Sequence, residues 1–459
     1  MKHWIETLIA RFWNRRTAQV RRTLMSRALD LGALVSEGEV TRGRVTVDQS
    51  RRAESLAVLG ITGSGKSYLA RHFVSQDIDA SRGFFYPDLH GDATPYIVAK
   101  IAEQEQIVNH DLSERTIVID PSDPDCSVGM NPLEDHVGGN RFVQVAEVTQ
   151  VMKHRFHLES FGARTDELLR NSLFVLAESG LTLVELALFL TNAAFRAACL
   201  KNVSNAEVKQ YFELRFDQVS EPMRAVMREP ILNKVSAFTA DPHFRHIVGQ
   251  AHSTFSILEA MDKGYWVILN IPIGRLGEQA ATLGSLFLTT TKNSLFARKN
   301  RDLFTLYCDE VQNFVSFGGG LENIISQGRK FGGSVVSLNQ FLEQHPPEMR
   351  AAILAVGTHA FFRLSSADAQ LVATALDGGK ALAELLKNLP RRHMVVKTGS
   401  ERWREAVVPK LNEPKVDPSD LYARCRARWA RKRSEIEEEI RQRQAIAAQS
   451  TNEDLDGWE

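Results

Sequence analysis

The sequence predicts an α/β protein with a mainly parallel β-sheet, and three observations support this. Apolar runs rich in β-branched and aromatic residues alternate with helical patterns from residue 55 onward. A glycine-rich motif joins the first of these runs to a helix. A stretch from 135 to 262 has long helical patterns and no strand signal. Because parallel strands need crossover helices, the alternation indicates a sheet covered on both faces.

The predicted strands lie, in chain order, at 43–47, 55–59, 83–86, 116–119, 265–271, 303–308, 334–338, 359–364 and 393–398. The pattern gives an α/β core at 31–134 and 263–412, with an all-α domain inserted at 135–262. A basic amphipathic helix precedes the core at 1–30, and a charged tail, partly helical and partly disordered, follows at 413–459.

The two ends of the chain carry apolar residues beside many charges. At the N-terminus, bulky apolar residues at helical spacing precede a run of arginines: Trp4, Ile5, Leu8, Ile9, Phe12 and Trp13, then Arg15, Arg16, Arg21, Arg22 and Arg27. Such a helix either binds a membrane surface or docks on its own domain or a partner, and docking is the favoured interpretation. In the tail, Trp429, Ile436 and Ile440 predict a short amphipathic helix before a polar end.

Composition limits the location more than the partners. Lys and Arg together number 56, as do Asp and Glu, so the formal net charge is zero. The overall charge therefore does not indicate a nucleic-acid partner, although local basic patches are compatible with one. The cysteines Cys126, Cys199, Cys308 and Cys425 lack metal-ligand or disulfide spacing. No apolar run has the roughly 18 residues of a transmembrane helix. We therefore expect a cytoplasmic protein, with peripheral contact at the inner membrane as the alternative.

The glycine-rich motif is a complete G-x-x-x-x-G-K-[ST] phosphate-binding loop. Its predicted nucleotide-binding residues are Gly60, Ile61, Thr62, Gly63, Ser64, Gly65, Lys66, Ser67 and the adjacent Tyr68. Backbone N–H groups of such a loop curl around phosphates, and the following helix adds its dipole. Lys66 is placed to reach the β- and γ-phosphates and the Ser67 hydroxyl to ligate Mg²⁺. The motif predicts binding of ATP and Mg²⁺.

Acidic and polar residues after later strands complete this predicted site. Asp309 and Glu310 end an apolar strand, where the first carboxylate holds Mg²⁺ and the second polarises an attacking water. Gln340 ends the next strand and is a candidate sensor of the γ-phosphate. Arg329 precedes that strand, and on its own it is equally well a charge that stabilises a helix C-terminus.

The order of these pieces resembles the HerA–FtsK superfamily, and within it the TraG/TraD-type conjugative coupling ATPases. The matching segments cover about 30–435: the loop 60–67, Asp-Leu-His-Gly-Asp at 88–92, Val-Ile-Asp-Pro-Ser-Asp at 118–123, Asn-Pro-Leu-Glu at 131–134, Phe-Gly-Ala-Arg at 161–164, Leu-Leu-Arg-Asn at 168–171, Asp-Glu-Val-Gln-Asn-Phe at 309–314, Gly-Arg-Lys-Phe-Gly at 328–332, Gln340, and 356–369.

The resemblance implies a RecA-like core, a homohexameric ring that threads DNA, and Arg329 acting as an arginine finger on the neighbouring subunit's nucleotide. It also implies DNA-processing or secretion proteins as partners. The chain departs from the family in lacking N-terminal transmembrane helices, in Leu89 where the family has proline, and in Asn339 where the family has histidine. Neither substitution removes a group with an assigned role in phosphate chemistry.

Several other residues keep two interpretations. Asp88 and His90 either adjoin the site or stabilise a turn, and the glycines at 318–320 form either a pore loop or a surface loop. His154 and His157 lack an evident third metal ligand. The basic residues at 391–393 and 424–433 either contact a phosphate backbone or, more usually, are solvated surface charges.

The leading functional interpretation is therefore an ATP-driven, DNA-translocating motor of conjugative or type IV secretion-like DNA transfer. A second interpretation is a nucleotide-gated assembly or scaffold ATPase, a secretion or defence adaptor that moves no DNA. A third is an ATPase that energises protein export, although such relatives tend to have a long domain before the phosphate loop and fewer than 60 residues precede it here.

Overall fold

The computed structural model describes residues 27–135, 138–158, 162–311, 313 and 320–453. Its strands are β1 Leu29–Ser36, β2 Glu39–Val47, β3 Leu56–Leu59, β4 Gly83–Asp88, β5 Thr116–Ile119, β6 Cys126–Val128, β7 Trp266–Asn270, β8 Phe304–Asp309, β9 Gly333–Asn339, β10 Thr358–Phe361, β11 His393–Thr398, β12 Arg404–Val407 and β13 Ala430–Lys432.

The α-helices are Gln49–Arg52, Lys66–Asp79, Ala93–Val108, Arg141–Arg155, Ala163–Glu178, Leu186–Thr191, Ala193–Lys201, Ala206–Gln210, Glu221–Ala240, Pro242–Val248, Ile257–Lys263, Ile273–Leu276, Gln279–Ala297, Leu321–Gln327, Pro347–Leu354, Ser366–Ala375, Gly379–Asn388, Ser419–Trp429 and Arg433–Glu453. Short 3₁₀ turns lie at Ser113–Arg115, Leu183–Glu185, Gly328–Phe331 and Leu342–Gln344, and a π-helix at Tyr211–Phe216.

One large sheet organises the molecule, in the strand order β2-β1-β12-β11-β10-β3-β9-β8-β4-β7-β5. The strands from β10 to β5 in this order pair in parallel. The four strands beyond β10 pair antiparallel. The predicted fold class, α/β with a mainly parallel sheet, is confirmed. The carboxyl ends of β3, β8, β4 and β9 lie at one edge of this sheet, where open α/β folds bind ligands.

Both faces of the sheet are covered, as near-continuous apolar parallel strands require. In β3, Leu56 and Val58 pack into the apolar cluster on one face, while Ala57 and Leu59 pack into the cluster on the other. The first face is covered by helices that include Lys66–Asp79 and Ala93–Val108. Alternation of period two along a fully buried strand thus anchors the strand that leads into the phosphate loop.

The helices between 141 and 263 form a layer that shares its core with the second face of the sheet. Leu173 and Phe212 of this layer belong to the same buried cluster as Phe287 and Leu306 of the α/β part. No strand occurs in the described residues of this stretch. The domain boundaries given above remain a prediction.

The C-terminal tail packs against both parts of the molecule. The Trp429 indole donates to the Ser113 carbonyl at 2.9 Å, beside the α/β core. Ile436 and Ile440 are completely buried, and Arg443 pairs at 3.1 Å with the buried Glu185 of the helical layer. The tail therefore links the sheet to the helical layer.

We expect Ile440→Ala to lower the free energy of unfolding by about 2–5 kcal/mol, because it leaves a cavity under the tail helix. Chemical denaturation of the full chain measures this. Ile107→Ala is the matched control, since Ile107 is 68% exposed. Equal stability of the two variants would contradict the packing of the tail.

The N-terminal helix predicted at 1–30 lies outside the described residues up to residue 26, and β1 begins at Leu29. Within the described part, no helix alone has the length and apolarity to cross a membrane, and only the bent pair Leu183–Thr191 and Ala193–Lys201 meets those two criteria jointly.

Candidate active site

The phosphate loop is the turn between β3 and the helix that begins at Lys66. Two of its glycines are required by geometry. A Cβ on Gly60 would lie 2.6 Å from Ser64 Oγ and 2.7 Å from Phe362 Cβ. Gly65 has φ +126°, and a Cβ there would lie 3.2 Å from Arg392 Cα. The loop thus depends on glycine both for space and for a backbone conformation that other residues rarely adopt.

Lys66 points back over its own loop. Its Nζ donates to the carbonyls of Gly60 at 2.7 Å and Ile61 at 3.3 Å. Burial lowers the pKa of Lys66, and the charges of Asp309 and Glu310 oppose that shift. The ammonium therefore lies between the loop and the two acids, where phosphate oxygens would compete for it.

Asp309 ends β8 beside the loop. The Ser67 hydroxyl donates to Asp309 Oδ2 at 3.3 Å. Burial raises the pKa of Asp309 to about 6, with a further upward contribution from Glu310 and a downward one from Lys66. A serine hydroxyl and a carboxylate this close are hard oxygen ligands of the type that Mg²⁺ takes when water and phosphate complete its shell. The two predicted metal ligands are brought together.

Glu310 is held in an unusual position. Its φ of +56° lies in the left-handed region, which costs a non-glycine residue of order 1 kcal/mol. Its Oε2 accepts from Asn313 Nδ2 at 3.1 Å and lies 3.2 Å from His90 Nε2. The strained backbone and these two contacts aim the carboxylate toward the cleft beside Lys66.

Asp88 and His90, which follow β4, have different roles in the structure. The Asp88 carboxylate accepts from the backbone N–H groups of Gly91, Ala93 and Thr94 at 2.7–3.0 Å. It therefore shapes the turn into the next helix, and the turn-stabilising interpretation fits it. His90 lies beside Glu310 instead, which fits the site-adjacent interpretation.

Gln340 and Tyr68 both line the cleft beside the loop. The Gln340 side-chain amide donates to Thr62 Oγ1. The Tyr68 hydroxyl contacts the backbone of Leu411, and the Arg392 guanidinium lies 5.9 Å from its ring centre. Both predicted residues thus line the same space as Lys66.

These side chains enclose an open cleft of about 320 Å³, within the size range of nucleotide and other ligand pockets. Two further cations line it, Arg71 and Arg391. Arg391 is exposed and forms no ion pair with any described residue. Sequence reasoning missed both as site residues, since neither belongs to a phosphate motif, and Arg391 reaches the cleft only because β11 pairs antiparallel beside β10.

Arg329 is not part of this cleft within one chain. It lies in the 3₁₀ turn Gly328–Phe331 before β9, whereas Gln340 follows the other end of that strand. Seven residues of strand separate the two ends by about 20 Å. The Arg329 side chain is 60% exposed, and its Nη1 pairs with Glu54 Oε1 at 2.8 Å. It is therefore free to contact another molecule and too distant for its own loop.

Two candidates from the sequence remain, a metal site at His154 and His157 and a pore loop at 318–320. No group of three or more His, Cys, Asp and Glu side chains there could hold a metal ion, His154 and His157 included. The pore-loop candidate lies outside the described residues at 318 and 319.

The sheet, its strand order and the glycine loop define a RecA-like P-loop fold. No protein-family model matches the sequence, and no curated protein matches it either. Solved structures do share the fold, at sequence identities that establish no more than the fold.

Structural neighbours include conjugative coupling proteins and a VirB4 protein. The bacterial conjugative coupling protein TrwBdeltaN70 aligns with a TM-score of 0.55 and 15% identity over 87% of this chain and 93% of that one. TrwB in complex with ADP and Mg²⁺ aligns with a TM-score of 0.55 and 16% identity over 88% of this chain and 94% of that one. VirB4 of Thermoanaerobacter pseudethanolicus aligns with a TM-score of 0.56 and 15% identity over 83% of this chain and 96% of that one. The resemblance inferred from the motifs is confirmed at the level of the fold.

Proposed function

We propose that this protein is an ATP-hydrolysing motor that assembles as a homohexameric ring and moves DNA in conjugative or type IV secretion-like transfer. One observation carries the proposal. Lys66, Ser67, Asp309, Glu310 and Gln340 converge on one cleft at the carboxyl edge of the sheet, while Arg329 lies exposed at the opposite edge.

ATP and Mg²⁺ are the ligands that this cleft fits. The coupling protein TrwB, which shares the fold, is known in complex with ADP and Mg²⁺ and with the ATP analogue ADPNP. In this chain the loop amides and Lys66 would hold the phosphates, and Ser67 with Asp309 would hold the cation. Bound there, Mg²⁺ would neutralise charge on the phosphate oxygens.

Hydrolysis requires a base, and Glu310 is the group oriented for it. Water attacks the γ-phosphorus, the bond to the ADP oxygen breaks, and the water's proton passes to the Glu310 carboxylate. Asn313 and His90 contact one oxygen of that carboxylate, which leaves the other oxygen available to the water. Lys66 offsets the negative charge that develops on the leaving oxygens.

Arg329 would complete the site of a neighbouring subunit. Phosphoryl transfer depends on charge neutralisation more than on covalent chemistry, so a guanidinium supplied from the next subunit makes turnover depend on assembly. The resemblance to coupling ATPases, stated above from the motifs, supports a ring around DNA with DNA-processing or secretion proteins as partners.

Lys66→Ala is expected to weaken ATP binding by about ten- to a hundredfold, the equivalent of about 1.5–3 kcal/mol for a lost charge-assisted hydrogen bond. The fold should persist, because the hydrogen bonds of the Lys66 ammonium to described residues all go to carbonyls of the loop. Isothermal titration with ATP and thermal melting measure the two effects. Lys100→Ala is the control, since Lys100 pairs with Asp79 and Glu103 away from the cleft. Wild-type binding and turnover in Lys66→Ala would refute the nucleotide assignment.

DNA-stimulated ATP hydrolysis tests the proposed function. Steady-state phosphate release is measured with the purified full chain in the presence of single-stranded DNA, duplex DNA or no DNA. We expect at least one form of DNA to raise the rate, and Lys66→Ala to show no stimulated activity. An equal rate in all three conditions would favour the scaffold ATPase instead.

A further inference from the structure

We propose that Glu54 is a positioning residue for the arginine finger, and that it ties Arg329 to the phosphate-loop strand of its own subunit. The inference rests on the proposed function, in which Arg329 acts on the neighbouring subunit. It follows from the only charged contact that the described residues give the Arg329 guanidinium, the 2.8 Å pair with Glu54 Oε1.

Glu54 is better fixed than the arginine that it holds. Its second carboxylate oxygen, Oε2, accepts from Arg51 Nη1 at 3.2 Å. Its backbone carbonyl accepts from Gly357 N at 2.9 Å. A Cβ on Gly357 would lie 2.5 Å from Glu54 Cβ, so the neighbouring loop closes tightly over the glutamate. Glu54 is 21% exposed against 60% for Arg329.

This difference in burial indicates which partner positions the other. An exposed ion pair contributes little to folding, because water solvates both charges well. An exposed arginine, however, samples many side-chain rotamers, and a fixed carboxylate on one Nη restricts them. The effect of Glu54 should therefore fall on the orientation of the finger and hence on turnover, with little effect on stability.

Glu54 also lies at a junction between the finger and the cleft of the same chain. It precedes β3 by one residue, Ser55, and β3 leads directly into Gly60. Ser55 Oγ accepts from Val335 N in β9 at 3.1 Å, and β9 is followed by Gln340, which bonds Thr62. Two adjacent strands thus connect the loop at one edge of the sheet with the finger at the other.

The test isolates the finger by mixing subunits. A Lys66→Ala subunit is inactive itself but still presents its finger, so wild-type protein is doped with it at increasing fractions. The comparison dopes with the double variant Glu54→Gln/Lys66→Ala, and ATP turnover per wild-type subunit is measured. The glutamine keeps the shape and removes the charge. We consider wild-type subunits whose neighbours are all variant subunits. Relative to doping with Lys66→Ala, we expect the double variant to lower their turnover by a further factor of about ten to a hundred, the range for small misplacements of catalytic groups.

Controls separate this effect from loss of a surface charge. Glu401→Gln/Lys66→Ala removes the exposed 2.8 Å pair with Arg404 and should behave as Lys66→Ala alone. In the otherwise wild-type chain, Glu54→Gln should lower kcat while leaving KM for ATP and Tm unchanged. Glu54→Asp keeps the charge and should restore part of kcat.

Two outcomes overturn the inference, and they differ. If doping with Arg329→Ala/Lys66→Ala is no worse than with Lys66→Ala, then Arg329 does not act on its neighbour, and the proposed function fails together with this inference. If that doping is worse but the Glu54→Gln double variant matches Lys66→Ala, then the finger stands and Glu54 does not position it.

Discussion

Arg329→Ala should bind ATP almost as tightly as the wild type and lose about three to five orders of magnitude in turnover, the range for arginine fingers supplied in trans. The reason is geometric. The residue precedes β9, whereas Gln340 of the cleft follows the other end of that strand, about 20 Å away, so its removal leaves the phosphate loop intact and deprives the neighbouring site of a cation. Equilibrium binding and single-turnover hydrolysis measure the two effects separately.

Mixing this variant with wild-type protein distinguishes action in trans from action in cis. Each Arg329→Ala subunit would disable a neighbour, so activity should fall faster than the variant fraction rises. Lys330→Ala is the matched control, since Lys330 is the exposed next residue in the same turn. A strictly linear decline, or full activity in protein diluted to monomers, would place Arg329 either in the site of its own subunit or outside the catalytic site.

Glu310→Gln should keep its affinity for ATP and lose about two to four orders of magnitude in hydrolysis, the range for general base catalysis. The amide can still hydrogen-bond a water, but it cannot accept the proton. The glutamine side chain should also keep the orientation of the glutamate, because Asn313 and His90 contact the side chain at position 310. Single-turnover cleavage of prebound ATP measures the step itself.

The control for this variant is Glu348→Gln, an exposed glutamate in the first turn of the helix Pro347–Leu354. It removes one negative charge at the surface and should leave the cleavage rate unchanged. A normal cleavage rate in Glu310→Gln would assign the base to another group, and the positive φ of Glu310 would then be unrelated to hydrolysis.

Local patterns were sufficient to predict the strands of the parallel core. The strands β3, β5 and β9 are buried throughout, and β7 and β8 are buried except at their last residues, so their composition carries a strong signal. The phosphate loop has a motif because each of its positions contacts phosphate or needs glycine. These features depend on residues adjacent in sequence, which is why the sequence alone predicts them.

The antiparallel end of the sheet was less predictable. β12 and β1 are only partly buried. Each pairs with its neighbour in the chain, β11 and β2, but the pairing of β1 with β12 joins the two ends of the core. Their positions follow from strand order, which no motif encodes. Arg391 and Glu54 were missed as site residues for the same reason, since each is brought to its place by pairing across the sheet.

The packing of the C-terminal tail was also difficult to predict from the sequence. Its charge and polar composition are typical of a solvated segment. Some of its charges instead pair with the body of the protein, as Arg424 does with Glu105 and Asp111. Ile436 and Ile440 of the last helix are buried in the main apolar cluster. Two apolar residues among many charges are a weak pattern, and only the partner surface shows what they contact.

ATP-driven movement along DNA tests the central claim most directly. Streptavidin is bound to a biotin at one end of a DNA strand, and its displacement is followed with wild-type protein, ATP and Mg²⁺, for single-stranded and duplex substrates. We predict displacement that requires ATP and is absent in Glu310→Gln, which binds ATP without cleaving it. Active ATP hydrolysis on DNA with no displacement from either substrate would contradict the motor and leave an ATPase that gates assembly.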